Sequence, residues 1–274
     1  MESLIIKELK IKYYILLFTL CCLASCGEYQ QLLKSRDPEV KYEAAIRYFN
    51  EGEYTKAQTL LDDVSSYYKG TERAQDVLSY LARCYMSNKD YASAAEYYSA
   101  YLRNYPKGRY AMEARFQIGH CKYLDAPDPR LDQTITKDGI QYLQQFVELY
   151  PESPYAEQAY REMFELYDRL AQKELYSARL YYNLGTYLGN NYQSAEIIAR
   201  NALRKYPGNA YSEELSWIIL QAKYQQTILS FREKQEERAR QTDDEYYNFV
   251  NDYPNTKYRK QADQIKKEID KLLK

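Results

Sequence analysis

The sequence predicts an all-α chain, with about five helix–turn–helix pairs stacked as an α-solenoid and closed by a C-terminal capping helix. Three observations predict it. "YP" recurs at Tyr105-Pro106, Tyr150-Pro151, Tyr206-Pro207 and Tyr253-Pro254, with Tyr67-Tyr68 at the matching place upstream. Five residues past the first Tyr of each "YP" stands another Tyr: Tyr110, Tyr155, Tyr211 and Tyr258. An aromatic-x-x-Ala step recurs ahead of the stops, as Tyr54…Ala57, Tyr91…Ala94 and Tyr192…Ala195. Marks that repeat at a fixed period signify stacked copies of one supersecondary unit.

The first segment is an address rather than part of that fold. Lys7, Lys10 and Lys12 precede "YYILLFTLCCL" (Tyr13 to Leu23), an apolar run too short to span a membrane as a stable helix. It ends in Leu23-Ala24-Ser25-Cys26, which resembles the lipobox of bacterial lipoproteins. That resemblance implies a signal peptide over residues 1–25, cut before Cys26, with a diacylglycerol on the Cys26 thiol and an N-acyl chain on the new terminus. The alternative is an ordinary signal peptide that leaves Cys26 as a thiol. Residues 26–37 then form a tether, 38–151 hold units one to three, and 152–274 hold units four and five with the cap.

Helical spacing runs between the marks. Leu78, Leu81, Ala82 and Tyr85 share one helix face, "NKD" breaks the pattern, and Tyr91, Ala94, Ala95, Tyr98 and Leu102 form a second face stopped by Pro106. In order, these positions resemble the tetratricopeptide repeat. The unit from Lys41 to Tyr68 matches through Ala45, Tyr48, Tyr54, Ala57 and Leu61, although Lys41 stands where a large apolar residue belongs. The third unit matches through Ile118, Gly119, Gly139, Leu143 and Pro151. Units four and five keep the second helix and the "YP" stop, but their first helices are longer. Small residues are required at Ala82 and Ala94, because paired helices approach closely there.

Composition excludes several classes of function. Lys and Arg number 38 against 39 Asp and Glu, without the basic excess of a nucleic-acid binder. No G-x-G-x-x-G or P-loop pattern occurs among the 9 glycines. The one histidine, His120, lacks a Cys or Ser partner at motif spacing and reads as a groove or packing residue. No enzyme is expected. After cleavage and acylation only Cys84 and Cys121 remain, at equivalent repeat positions, and both read as buried thiols. Tyrosine is the outlier at 34 copies, and its apolar ring with a polar tip suits half-exposed faces.

One stretch departs from the repeat. "DAPDPRLDQT" (125–134) opens an insertion over residues 125–136, between the two helices of the third unit. Asp125, Asp128 and Asp132 lack the ligand spacing of a calcium loop, and no closing Glu follows, so no metal is expected. A tetratricopeptide lipoprotein with an acidic, Pro-rich insertion at this place, here D-x-P-x-P-R-x-D-Q-x-x-T, resembles the BamD family of outer-membrane assembly lipoproteins. "KELYSARLYYNLGTY" and "ELSWIILQAKY" resemble that family's later units.

The resemblance implies a non-enzymatic subunit of the β-barrel assembly machine, lipid-anchored to the outer membrane on its periplasmic face. It implies two partners besides the membrane: the POTRA domains of a BamA-type barrel protein, met by the C-terminal units, and unfolded barrel clients. Client targeting strands would lie along the first helices of units one to three. Carried over, the pattern gives Glu39, Tyr42, Ile46 and Phe49, then Asp76, Ser79, Arg83 and Met86, then Glu113, Phe116, His120 and Tyr123. These are either peptide contacts or solvated and inter-helix positions. A different reading is a tetratricopeptide lipoprotein that docks a peptidoglycan enzyme.

Overall fold

The structure, a computed structural model, describes residues 27–274, so Cys26 and the signal segment lie outside the described residues. Helices and turns make up the described chain, with no strand among the described residues. The chain divides into two compact units, one ending at Cys121 and the other beginning at Lys122.

In the first unit, α1 (Pro38–Asn50), α2 (Tyr54–Ser65), α3 (Arg73–Ser87) and α4 (Tyr91–Asn104) each pack on the next, and α5 (Ala111–Leu124) follows. α1 starts where it does because the Asp37 carboxylate accepts the N–H groups of Glu39 and Val40, at 2.9 and 3.4 Å. Pro38 fills the first helical position, where its fixed φ is favourable and a donor is not needed. Ala45, Ala57, Ala82 and Ala94 are wholly buried at the helix–helix joints, so the sequence's small residues lie where backbones come closest. Leu60, Leu61 and Leu81 fill the space beside them, each contributing about 1.5–3 kcal/mol by burial.

Lys41 is 8% exposed. Its stem takes the apolar position, while its ammonium donates to the Leu33 carbonyl at 3.2 Å and pairs with Asp63. The stretch expected as a tether is helical over residues 27–34, and its Tyr29, Leu32 and Leu33 pack against the first core. Tyr29 meets Tyr48 edge to face at 5.7 Å. Cys84 and Cys121 are both buried.

The second unit holds α6 (Thr134–Leu149), α7 (Ala156–Leu184), α8 (Asn191–Lys205), α9 (Ser212–Ile228), α10 (Arg232–Asp252) and α11 (Arg259–Leu272), again each against the next. α7 runs for 29 residues, as the longer first helix of unit four requires. Leu166, Leu170, Ala171, Leu175 and Ala178 keep one face buried along it, and no breaker intervenes before Gly185, whose φ is +57°. At Gly139 a Cβ would sit 2.8 Å from Leu166 Cδ1, which explains the glycine at that repeat position.

The "YP" marks turn out to be one repeated turn. Tyr105, Tyr150, Tyr206 and Tyr253 end their helices with φ of −135°, −136°, −127° and −128°. The proline that follows each excludes helical backbone at the tyrosine. Three residues on, the N–H of Gly108, Ser153, Asn209 or Thr256 closes the turn on the tyrosine carbonyl, at 3.0 to 3.4 Å. Ser153, Asn209 and Thr256 then accept, through their side chains, the N–H of Tyr155, Tyr211 and Tyr258. The second tyrosine of each mark is thereby seated at the entrance to the next helix.

The insertion is ordered by its own acids. Asp128 holds Arg130 through the backbone N–H and Nε, both at 2.9 Å, and Asp132 accepts the N–H of Thr134 at 2.9 Å. That turn leads into α6, which starts at Thr134, so the excursion covers residues 125–133 and not the expected 125–136. Gln133 is buried and ties the loop together, donating to the Asp128 carbonyl at 2.8 Å and accepting Thr136 Oγ1 at 2.7 Å. From α7, Arg169 donates to the carbonyls of Ala126 and Pro127, and Lys173 to that of Leu131 at 2.8 Å.

Candidate peptide-binding face

The candidate face of the first unit is built on α1, α3 and α5, with the turns that lead into α3 and α5 at its edge. Glu39 accepts the Tyr68 hydroxyl at 2.9 Å and pairs with Arg73. Those hydrogen bonds, Arg73's first, hold its carboxyl below the usual range. Tyr42 is half-buried, which pushes its hydroxyl up to about 12. Its ring lies edge to face with Tyr68 at 5.6 Å, with the Arg73 guanidinium 4.8 Å from its centroid. Phe49 packs against Tyr54 at 5.4 Å and Tyr80 at 5.0 Å, and Ile46 is half-buried one turn earlier.

One helix pair on, the pattern repeats. Asp76 pairs with Arg109 and accepts the Tyr110 hydroxyl at 2.8 Å. Arg83 spans to Glu113 with two bonds of 3.2 and 2.7 Å, and its guanidinium sits 5.3 Å from the Tyr110 ring and 5.8 Å from Tyr80. Met86 approaches Cys121, sulfur to sulfur, at 3.7 Å, and His120 stacks on Phe116 at 5.4 Å.

Two of the sequence-derived candidates present no surface. Ser79 is 3% exposed and Phe116 is 1% exposed, because the carried-over family pattern that selected them also reaches the packed side of each helix. Tyr123 belongs to the second unit, where its hydroxyl donates to Glu165; that bond and burial raise its pKa to about 12. Glu39 and Tyr42 are drawn into one cluster of rings and ion pairs, and Phe49, Asp76, Arg83 and Glu113 into a second. Tyr68 and Arg73 complete the first, and Tyr80, Arg109 and Tyr110 the second; none of these five was selected from the sequence. Arg73 and Arg109 stand 36 residues apart, one just ahead of or at the start of each first helix, and that spacing was the available signal.

The acids have a recurring job. Glu39 and Asp76 grip the turn leading into the next first helix, and later units do the same. Asp168 accepts the N–H of Ala210 at 2.8 Å, and Glu213 accepts Thr256 Oγ1 at 2.6 Å. With its carboxylates so engaged, the first-unit face offers half-exposed rings and paired guanidinium planes. Such a surface suits aromatic side chains and peptide carbonyls, through packing, cation–π contact and hydrogen bonding. Among the described residues, no group of His, Cys, Asp and Glu is placed to hold a metal.

Paired helices stacked in this way define a helical-repeat scaffold. The chain belongs to the outer membrane lipoprotein family (YfiO), whose model matches residues 34–189. It is also similar to a protein of Aquifex aeolicus (strain VF5) provisionally named outer membrane protein assembly factor BamD. The two are 26% identical over 123 residues, covering 44% of this chain and 40% of the relative, so less than half of the relative's length is matched. A solved structure of nearly identical TPR-like repeats, from a provisionally named kinesin light chain of Podosopora anserina, aligns over 85% of this chain and 93% of its own. It does so at 14% identity and a TM-score of 0.38, too little overlap to carry weight.

Proposed function

We propose that the chain is a lipid-anchored scaffold subunit of the machine that assembles β-barrel proteins into the outer membrane. Acyl chains on Cys26 hold it to the periplasmic face of that membrane; each buried CH₂ adds about 0.8 kcal/mol, and two chains suffice for stable anchoring. The rings and guanidinium groups of α1, α3 and α5 receive the aromatic-rich targeting strand of an unfolded barrel client. The helix pairs of the second unit dock the POTRA domains of a BamA-type barrel partner. The observation that carries this reading is the family match over residues 34–189, which spans the whole first-unit face and the insertion. The name of the Aquifex relative supports it.

The test is purification of the tagged protein from detergent-solubilised membranes, with its partners identified by mass spectrometry. A barrel protein with POTRA domains is the expected partner. Recovery of a peptidoglycan enzyme without such a barrel would replace this reading. Cys26→Ser is expected to release the protein from washed membranes, and persistent attachment would contradict the lipid anchor.

A further inference from the structure

The spacing that marks the first-unit face can be carried into the later repeats. Counted from Tyr110, the candidate positions of α5 fall at 3, 6, 10 and 13 residues, at Glu113, Phe116, His120 and Tyr123. Counted from Tyr211 they give Glu214, Trp217, Gln221 and Tyr224 on α9; from Tyr258 the first two give Gln261 and Gln264 on α11. Five of these six line a single cavity of about 540 Å³ in the second unit, with Tyr182, Gln225, Lys260 and Ile265. That volume lies within the roughly 300–1,000 Å³ of ligand sites. The terminal helix, expected only as a cap, thus presents its inner face like the first helix of a further unit.

We propose that α9 and α11 form a second binding groove, for an extended peptide segment that carries a carboxylate. It stands independently of the assembly role proposed above.

The floor is fixed and apolar. Trp217 stacks on Tyr258 at 4.9 Å and 7°, is 7% exposed, and lies beside buried Ile265. With one indole face covered and little of the ring open, the floor offers packing for side chains rather than the bare aromatic platform on which a sugar stacks. The walls are amides. No side-chain hydrogen bond ties Gln221 or Gln261 to other described residues, and each side chain, lining the cavity, offers the donor and acceptor that a peptide group needs. Gln264 is oriented by Glu268 at 2.8 Å, and the same carboxylate accepts the Tyr224 hydroxyl, so the acid of the groove is occupied. The charge at the rim is unbalanced. Arg259 is matched by Asp263 at 2.9 Å and Lys257 sits over the Tyr258 ring at 5.0 Å, but exposed Lys260 has no acidic partner among the described residues. A carboxylate on the peptide supplies it.

Trp217 is the one tryptophan of the chain, so its emission reports this groove. The full-length protein in detergent would be titrated with a pool of N-acetylated, C-amidated heptapeptides of alternating apolar and polar residues with one fixed glutamate. Parallel titrations use the matched glutamine pool and tri-N-acetylglucosamine. A saturable emission change is expected with the glutamate pool. It should weaken about fivefold with the glutamine pool or in Lys260→Ala, the scale of one exposed ion pair. It should be lost in Gln221→Ala/Gln264→Ala at an unchanged melting temperature. The proposal is overturned by no response at millimolar peptide, by an undiminished response in the double variant, by equal binding of the two pools, or by tighter binding of the sugar.

Discussion

The hydroxyl of Tyr101 accepts the backbone N–H of Tyr110 at 3.0 Å, the place that Ser153, Asn209 and Thr256 hold in the later turns. The equivalent residue in this turn is Gly108, which has no side chain to offer, and a Cβ there would collide with the Tyr101 hydroxyl. One turn geometry is therefore satisfied in two ways, locally in three turns and from the preceding helix in the fourth. Tyr101→Phe should destabilise the protein by about 1–2 kcal/mol, through an orphaned, part-buried donor and the lost hydrogen bond from the Tyr101 hydroxyl to Gln75 Oε1 at 2.9 Å. Gly108→Ser should also destabilise it, but by less in the Tyr101→Phe background, where the tightest of its close contacts (Tyr101 hydroxyl, Gln75 Oε1 and Tyr105 Cβ) is removed and the serine can accept the N–H. A double-mutant cycle from urea unfolding reads the coupling; additive effects would contradict the shared role.

Ala94 lies wholly buried at the joint between α3 and α4. Ala94→Leu should lower stability by about 1–3 kcal/mol through overpacking, whereas the same change at exposed Ala92 should stay within about 0.5 kcal/mol. Comparable melting temperatures for the two variants would show that the helices do not approach as described.

Hydrogen bonds from Arg130 hold the Asp128 carboxyl at about 2. An aspartate depressed in the folded state favours the ordered loop above its unfolded pKa of about 4, and that contribution is lost as pH falls toward 2. A carbon-detected carboxyl titration should show the low midpoint, and Arg130→Ala should return it toward the ordinary range. An unmoved midpoint would separate the loop's order from this pair.

Burial pushes the Cys84 thiol up to about 12, with the charge of Asp62 adding to it. In Cys26→Ser protein at neutral pH, maleimide labelling of Cys84 should be negligible until the first unit opens, and should then follow denaturant in step with circular dichroism. Rapid labelling of the folded protein would contradict the burial.

The sequence made the repeat legible because its marks are local. A proline that must end a helix, a small residue at a joint and an acid that caps the next N–H all act within one or two turns. The acidic insertion was recognisable for the same reason, as a local break in the helical period. The candidate face was legible only in part. The pattern carried over from the resembled family selected Tyr42 and Arg83 together with Ser79 and Phe116, since it does not say which neighbour covers a side chain. Glu39 with Arg73, and Asp76 with Arg109, are separated by 34 and 33 residues, so their pairing depends on how successive helices stack. Lys41 ran against the apolar pattern because its partner, Asp63, lies on another helix.

The central claim is that the face of α1, α3 and α5 receives an extended, aromatic-rich strand. Photo-crosslinking tests it most directly, with benzoylphenylalanine replacing half-buried Tyr80 on that face or exposed Glu96 on α4 as the control. During barrel-protein synthesis, the account predicts adducts between position 80 and the terminal strand of unfolded barrel clients, competed by excess strand peptide, and none at position 96. Equal adducts at both positions, or client adducts at 96 alone, would contradict it.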